Sequence, residues 1–365
     1  MSAGAPPGGR LRPSRVERAE RARRNRRGVA LAIVAAIVVA AIGVVVVNQL
    51  GDDDPAATGT EAGGSEAGAS ALLALQLNGG PVPLLAIVGV PGDAEPFVMP
   101  LSSELTVVVP GQGETSTSGV AALPGDSMRV TLSNMAGVWI EHFAVLSLRD
   151  LAAAVDANGG LTVELPTAYP TTAGELGPGE ITMTGAQAKS FIAGSTDDAG
   201  VRWDILLGAL LADPAALASG DVETDDADAV NGMLADARGA DIVEMPTERV
   251  TATIVVPVYP ALDEMVSASL GTPAPVPVIV QNGSGEPGVG EAVAVKIIPA
   301  GFRIVLSQNA QTFDVGRTDV FANGTDHEAE ARSVRKALQV GRVRVAAVPS
   351  NIGDITIVVG KDFTA

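Results

Sequence analysis

Residues 148–166 read LRDLAAAVDANGGLTVELP, and the hydrophobic period changes halfway along this stretch. Leu148, Leu151, Ala154 and Val155 recur at helical spacing, so 148–157 is an amphipathic helix. Gly159 and Gly160 close it, because glycine takes the left-handed conformation of a helix end without steric cost. From Leu161 to Leu165 apolar and polar residues alternate, which predicts a strand. Upstream, short apolar runs bounded by Gly, Pro or Asp predict strands over 72–77, 84–90, 96–100, 105–109 and 138–146. Downstream, 185–192, 201–211 and 228–237 carry helical spacing. Strands interleaved with helices over some 200 residues give an α/β (α+β) domain, assigned to 71–271.

Three prolines in the five residues Pro273 to Pro277 form a stiff connector over 272–277. Beyond it the pattern resumes: strands over 278–281, 302–306, 319–322, 343–348 and 355–359, helices over 288–299 and 327–338. This is a second, small αβ domain, 278–365.

The formal charge of −18 conceals two populations. Residues 1–27 hold nine arginines against Glu17 and Glu20, a net +7, and everything after them is −25. Between lies the uncharged run GVALAIVAAIVVAAIGVVVV over 28–47, at ~1.5 Å rise per residue about as long as a bilayer's hydrocarbon core is thick. Its length and the absence of a small-x-small cleavage site at its end favour a retained single-pass helix, 28–48, over an export signal. Arginines on its N-terminal side alone place the arm 1–27 in the cytoplasm and the remainder outside the cell membrane. Residues 49–70 are Gly, Ala, Ser and Thr with scattered acids, a flexible linker.

An acidic body with 11 aromatic residues excludes nucleic acid as a partner. Zero cysteines exclude disulfides and thiolate chemistry. Gly283-Ser-Gly285-Glu-Pro-Gly288 spells a dinucleotide fingerprint, but the next strand ends Ser307-Gln308-Asn309 with no acid for ribose hydroxyls, so a glycine turn feeding a helix is the better reading. The acids Asp221, Glu223, Asp225, Asp226 and Asp228 lack the spacing of a calcium loop and suit the approach to a helix N-terminus. His142 and His327 have no serine in a strained turn to activate and are read as structural. Asn282-Gly-Ser284 and Asn323-Gly-Thr325 match the glycosylation triplet and are read as turns.

Three strings occur in an order and spacing that resemble the LytR-CpsA-Psr (LCP) family: Ile140-Glu-His-Phe143, Val155-Asp156-Ala-Asn-Gly159-Gly160, and Gly185-Ala-Gln187-Ala188. The segment from Val278 to Phe302 and the ending Asp354 to Asp362 resemble the LytR C-terminal domain that follows it. An active LCP protein is a phosphotransferase that attaches glycopolymers from a polyprenyl-pyrophosphate carrier to peptidoglycan, so the resemblance implies Mg2+ and several arginines around the pyrophosphate. Chemistry demands such a set, since bidentate guanidinium groups or a metal neutralise a diphosphate best.

Here the sequence departs from the family. The expected Pro-Arg-Asp element reads Pro100-Leu101-Ser102, the paired arginines after Gly185-x-Gln187-Ala188 fall on Ala193 and Ser195, and of the later Arg-x-x-Arg-Gln element Arg202 remains, with Trp203 in the glutamine's place. Between Ala71 and Asp221 stand only Arg129, Arg149, Arg202 and Lys189. The expectation is an LCP-like domain that has lost transferase chemistry, with no catalytic residues, no metal and no resident cofactor, and a binding or regulatory role in cell-wall glycopolymer assembly. Its partners are then the membrane and wall glycopolymer or envelope proteins. Arg202 and Asp156 are the candidate binding residues; in the alternative, an active transferase using Mg2+, Arg202 is the first residue to test. Arg129, Arg149 and Arg202 are not expected to converge on one pocket with Asp156.

Overall fold

A computed structural model describes residues 71–79, 83–92, 94–194, 197–212, 222–251, 254–346 and 352–364. The arm, the apolar run and the linker over 1–70 lie outside the described residues, as do Ser195 and Asp221. Among the described residues no helix is long and apolar enough to cross a membrane.

The first half is built on a six-stranded sheet. Its centre is β1 (Ala71–Asn78), antiparallel to β2 (Leu84–Val90), which is antiparallel to β3 (Phe97–Leu101). After the hairpin of β4 (Thr106–Val109) and β5 (Gly113–Ser116) and the helix α1 (Gly125–Ala136), β6 (His142–Ser147) joins β1 in parallel. Two two-residue strands, Glu223–Thr224 beside β6 and Asp241–Ile242 beside β3, close the edges.

Both faces of this sheet are covered, so its strands are apolar at almost every position. Leu73, Leu75 and Leu77 of β1 face one core with Leu84, Ala86 and Val88 of β2, while Leu72 and Ala74 face the other with Leu85 and Ile87. The period of two is intact, but each set of side chains meets its own layer. The first layer contains α2 (Leu148–Ala157), α3 (Gly185–Ala193), α4 (Ala199–Ala212) and α5 (Ala227–Asp236). The second contains α1, the β4–β5 hairpin and α6 (Tyr259–Leu270), which Gly271 ends in the left-handed conformation.

The second half is a five-stranded sheet in the order β16 (Phe302–Asn309), β15 (Val276–Asn282), β19 (Ile355–Val359), β17 (Asp319–Ala322), β18 (Arg342–Val345); β7 to β14 are the short strands between Leu161 and Pro257. It packs against α7 (Val289–Ile297) and α8 (Glu328–Leu338). β15 begins inside the proline-rich connector. Pro277 sits near its start, where the missing N–H costs one ladder bond, and its carbonyl still accepts from Asp354 N–H at 2.9 Å.

The sequence pattern runs 138–146 as one strand; the structure makes only His142–Ser147 a strand and places a helix, α1, immediately before it. Nine of the twelve residues of α1 are buried, because both halves of the molecule pack on it. Met128, Leu132 and Met135 enter the second layer of the first sheet, and Val130 enters the core of the five-stranded sheet. Its buried polar residues are all bonded: Thr131 and Ser133 donate to the carbonyls of Ser127 and Arg129, and Asn134 pairs with both backbone groups of Ile304, accepting from its N–H at 2.7 Å and donating to its C=O at 2.8 Å. The Asn134 carboxamide thus stands where a further strand would pair with the outer edge of β16. Arg303 completes the junction with a two-pronged pair to Asp263 of α6, a bond to the Asn134 carbonyl and a stack on Tyr259 at 4.4 Å. Gly137 must be glycine there: its φ is +76°, and a Cβ would stand 2.5 Å from the Arg303 guanidinium.

Candidate functional site

Arg202, on the first turn of α4, has a side chain with 0% exposure. Its Nε donates to Asp198 at 2.8 Å, Nη1 to the Phe191 carbonyl at 2.7 Å and Nη2 to the Pro170 carbonyl at 3.0 Å. The Tyr169 and Phe191 rings each lie 5.2 Å from the guanidinium carbon. The group is therefore an internal clamp joining α3, α4 and the β8 strand (Tyr169–Thr171), and it faces protein on every side. Trp203 beside it is buried, its indole N–H without a partner among the described residues.

Asp156 is exposed at the end of α2, and its Oδ1 accepts the Gly185 N–H at 2.7 Å. Thr184 and Gln187 complete a reciprocal capping box at the same helix start. Gly185 allows α2 and α3 to meet, since a Cβ there would lie 1.9 Å from the Ala152 carbonyl oxygen. The strings Val155-Asp156-x-x-Gly159-Gly160 and Gly185-x-Gln187-Ala188 therefore converge in space, and what they encode is the docking of two helices. Among the described residues Arg202 and Asp156 share no hydrogen-bond partner.

Arg129 sits elsewhere. It pairs with Asp126 at 2.8 Å, donates to the Glu141 carbonyl at 2.7 Å, lies 3.9 Å from Asp225 and stacks on Trp139. His142 Nδ1 is 3.1 Å from the same Asp225. Burial works to raise the Asp225 pKa, but the Phe143 N–H and His142 together bring it below the ordinary value. Burial raises Glu141, against the bond it accepts from Leu72 N–H at 2.6 Å. This network fastens the start of β6 to β1 and to the Glu223–Thr224 edge. Arg149 is exposed on α2, whereas Arg129 and Arg202 stand on helices that cover opposite faces of the sheet. Among the described residues no three His, Cys, Asp or Glu side chains group to hold a metal.

A cleft of about 510 Å³ opens where the two halves meet, at the carboxyl ends of the parallel strands β15 and β16. The glycine-rich loop 283–288 forms one wall. Asn282 holds that loop, accepting from Ser284 N–H, Ser284 Oγ and Gly285 N–H and donating to the Glu286 carbonyl. From the first half, the β4–β5 turn contributes Gly111 and Gln112, and Gly111 N–H donates to Ser307 Oγ at 2.9 Å. Contact is so close that a Cβ on Gly290 would lie 2.3 Å from Gly111 Cα. Neither half encloses this cleft alone, which is why the sequence pattern of the loop gave no sign of it. Asn323, the other triplet residue, is buried and donates to the Gly353 carbonyl at 2.6 Å.

Residues 275–363 match the family model described as LytR cell envelope-related transcriptional attenuator. The second half is thus a LytR C-terminal domain, beginning where β15 does. No curated protein matches the chain in sequence. Among solved structures the chain is similar to B. subtilis TagT (15% identity, TM-score 0.48, 63% of this chain and 98% of that one) and to B. subtilis TagV (14%, 0.47, 56% and 98%). It is similar also to the LytR-CPS2A-psr family protein YwtF (TagT) with bound octaprenyl pyrophosphate lipid (14%, 0.47, 56% and 92%).

Proposed function

We propose that this chain is a membrane-anchored, extracytoplasmic component of cell-wall glycopolymer assembly, in which an LCP-like domain has given up phosphoryl transfer and serves with its LytR C-terminal domain for binding or regulation. The family match over 275–363 and the LCP-like strings support the envelope setting. The burial of Arg202 carries the non-catalytic reading: the one arginine left in the expected element spends its guanidinium on Asp198 and two backbone carbonyls. A polyprenyl pyrophosphate would need those donors, and releasing them would break three hydrogen bonds of a fully buried guanidinium.

The test is incubation of the purified full chain with geranyl pyrophosphate and Mg2+, following phosphate release. The expected result is no turnover above a boiled control. Magnesium-dependent hydrolysis would restore the transferase reading. For topology, alkaline phosphatase fused to the C-terminus is expected to be active, and a reporter that works there only inside the cell overturns the proposed location.

A further inference from the structure

The cleft between the two halves is lined almost wholly by uncharged groups. Gln112, Gln308 and Asn309 bring carboxamides that make no hydrogen bond to the described residues, and Phe313 is half exposed at 50%. Gly285, Gly288 and Gly290 bare the backbone. Glu286 is the sole ionisable side chain in the lining. A carboxamide offers both a donor and an acceptor, and an aromatic face offers apolar contact, a combination that suits a ligand with many hydroxyl and amide groups and an apolar ring face. The volume lies within the usual range for small-ligand sites.

Other ligand classes fit less well. A phosphate or carboxylate would find no cation in the lining, and the first turn of α7 already carries Glu291, which Ser127 Oγ donates to at 2.7 Å. A dinucleotide needs an acid where Asn309 ends β16. An extended peptide would pair with the free edge of β16, yet Asn134 occupies that edge at Ile304 and the Gly111 turn approaches it at Ser307.

We propose that this interdomain cleft is a carbohydrate-binding site for a neutral, N-acetylated oligosaccharide, with Phe313 as the stacking platform and Gln112, Gln308 and Asn309 as the hydrogen-bonding groups. The proposal stands on the cleft alone: pyrophosphatase activity in the assay above would sink the non-catalytic reading and leave this site untouched. The probe is the β-1,4-linked N-acetylglucosamine tetramer, titrated calorimetrically into the full chain in detergent, with ADP and a neutral tetrapeptide as the competing classes. Saturable binding of the sugar is expected, weakened about tenfold or more by Phe313→Ala and by the Gln112→Ala/Gln308→Ala pair. These carboxamides make no hydrogen bond to the described residues and Phe313 is half exposed, so circular dichroism is expected to stay that of the parent. No saturation at millimolar sugar, an affinity indifferent to both variants, or tighter binding of ADP or of the peptide would overturn it.

Discussion

Two buried arginines, one in each half of the molecule, show what this protein does with its cations. Residues 71–274 hold 26 acids and 6 basic residues, a net −20, whereas 275–363 hold nine of each. Arg202 of the acidic half and Arg303 of the neutral half are built alike: a guanidinium shielded from solvent, one carboxylate, and backbone carbonyls and aromatic rings, two of each around Arg202 and one of each around Arg303. They differ in reach. Arg202 takes its carboxylate from Asp198, one helical turn back, and closes a layer within its own domain. Arg303 takes Asp263 from 40 residues away, across the junction. The guanidinium of Arg202 is a brace within one domain, and the same device at Arg303 ties two domains together.

Removing the first brace has the largest expected effect. Arg202→Ala takes a charged donor from each of the Phe191 and Pro170 carbonyls, and opens a hole under two rings. A loss of about 3–5 kcal/mol follows from the scale for broken buried pairs, measured as a fall in the urea midpoint. Arg202→Met keeps most of the volume and discards the charge, so a smaller loss of about 1–3 kcal/mol separates packing from hydrogen bonding. If Met is as damaging as Ala, the carbonyls dominate; if Arg202→Ala costs under ~1 kcal/mol, the side chain is no clamp.

Breaking the second brace changes cooperativity as well as stability. With Val130 in one core and its α1 neighbours in the other, the described domains are expected to unfold together in a single calorimetric transition. Arg303→Ala, at about 3 kcal/mol, exposes a half-buried Asp263 without its partner and separates that transition into two. Asn134→Ala leaves the Ile304 N–H and C=O unpaired at about 2 kcal/mol and pushes in the same direction. A single sharp transition in the Arg303→Ala, Asn134→Ala double variant would show that apolar contacts at the junction suffice.

Such a junction is what sequence patterning hides. The helix–glycine–strand stretch 148–166 was legible because each element meets one core and its period reports that core. Helix α1 was not: buried on nearly all sides, with Thr131, Ser133 and Asn134 among the buried residues, it shows no apolar stripe, and only Pro124 before it and Gly137 after it announce its ends. The same holds for the cleft, whose walls come from residues near 111, 285 and 308. Arg202 was visible as the remnant of a motif, but a one-dimensional string cannot say that its donors are spent on the carbonyls of Phe191 and Pro170. Asp156 and Gln187 carried the family resemblance, and in the structure they make a helix contact and a helix cap.

The smallest effect comes from a site in the acidic half that the braces do not relieve. Burial, reinforced by Glu244, pushes the Asp204 carboxyl of α4 up to about 6. Its folded pKa thus exceeds its unfolded one, so between about pH 4 and pH 6 the native state binds more protons than the unfolded chain, and stability falls as pH rises through that window. At neutral pH the ionised Asp204 is a net cost, of order 1 kcal/mol once solvent screening at this partly exposed position is allowed for. Asp204→Asn should therefore stabilise the protein at pH 7 and do nothing at pH 4, measured as urea midpoints across that range. The acidic half would then owe part of its marginal stability to self-repulsion, which the neutral half, with its nine acids matched by nine bases, escapes. An Asp204→Asn variant whose midpoint tracks the parent at every pH would place the repulsion elsewhere in the 26 acids.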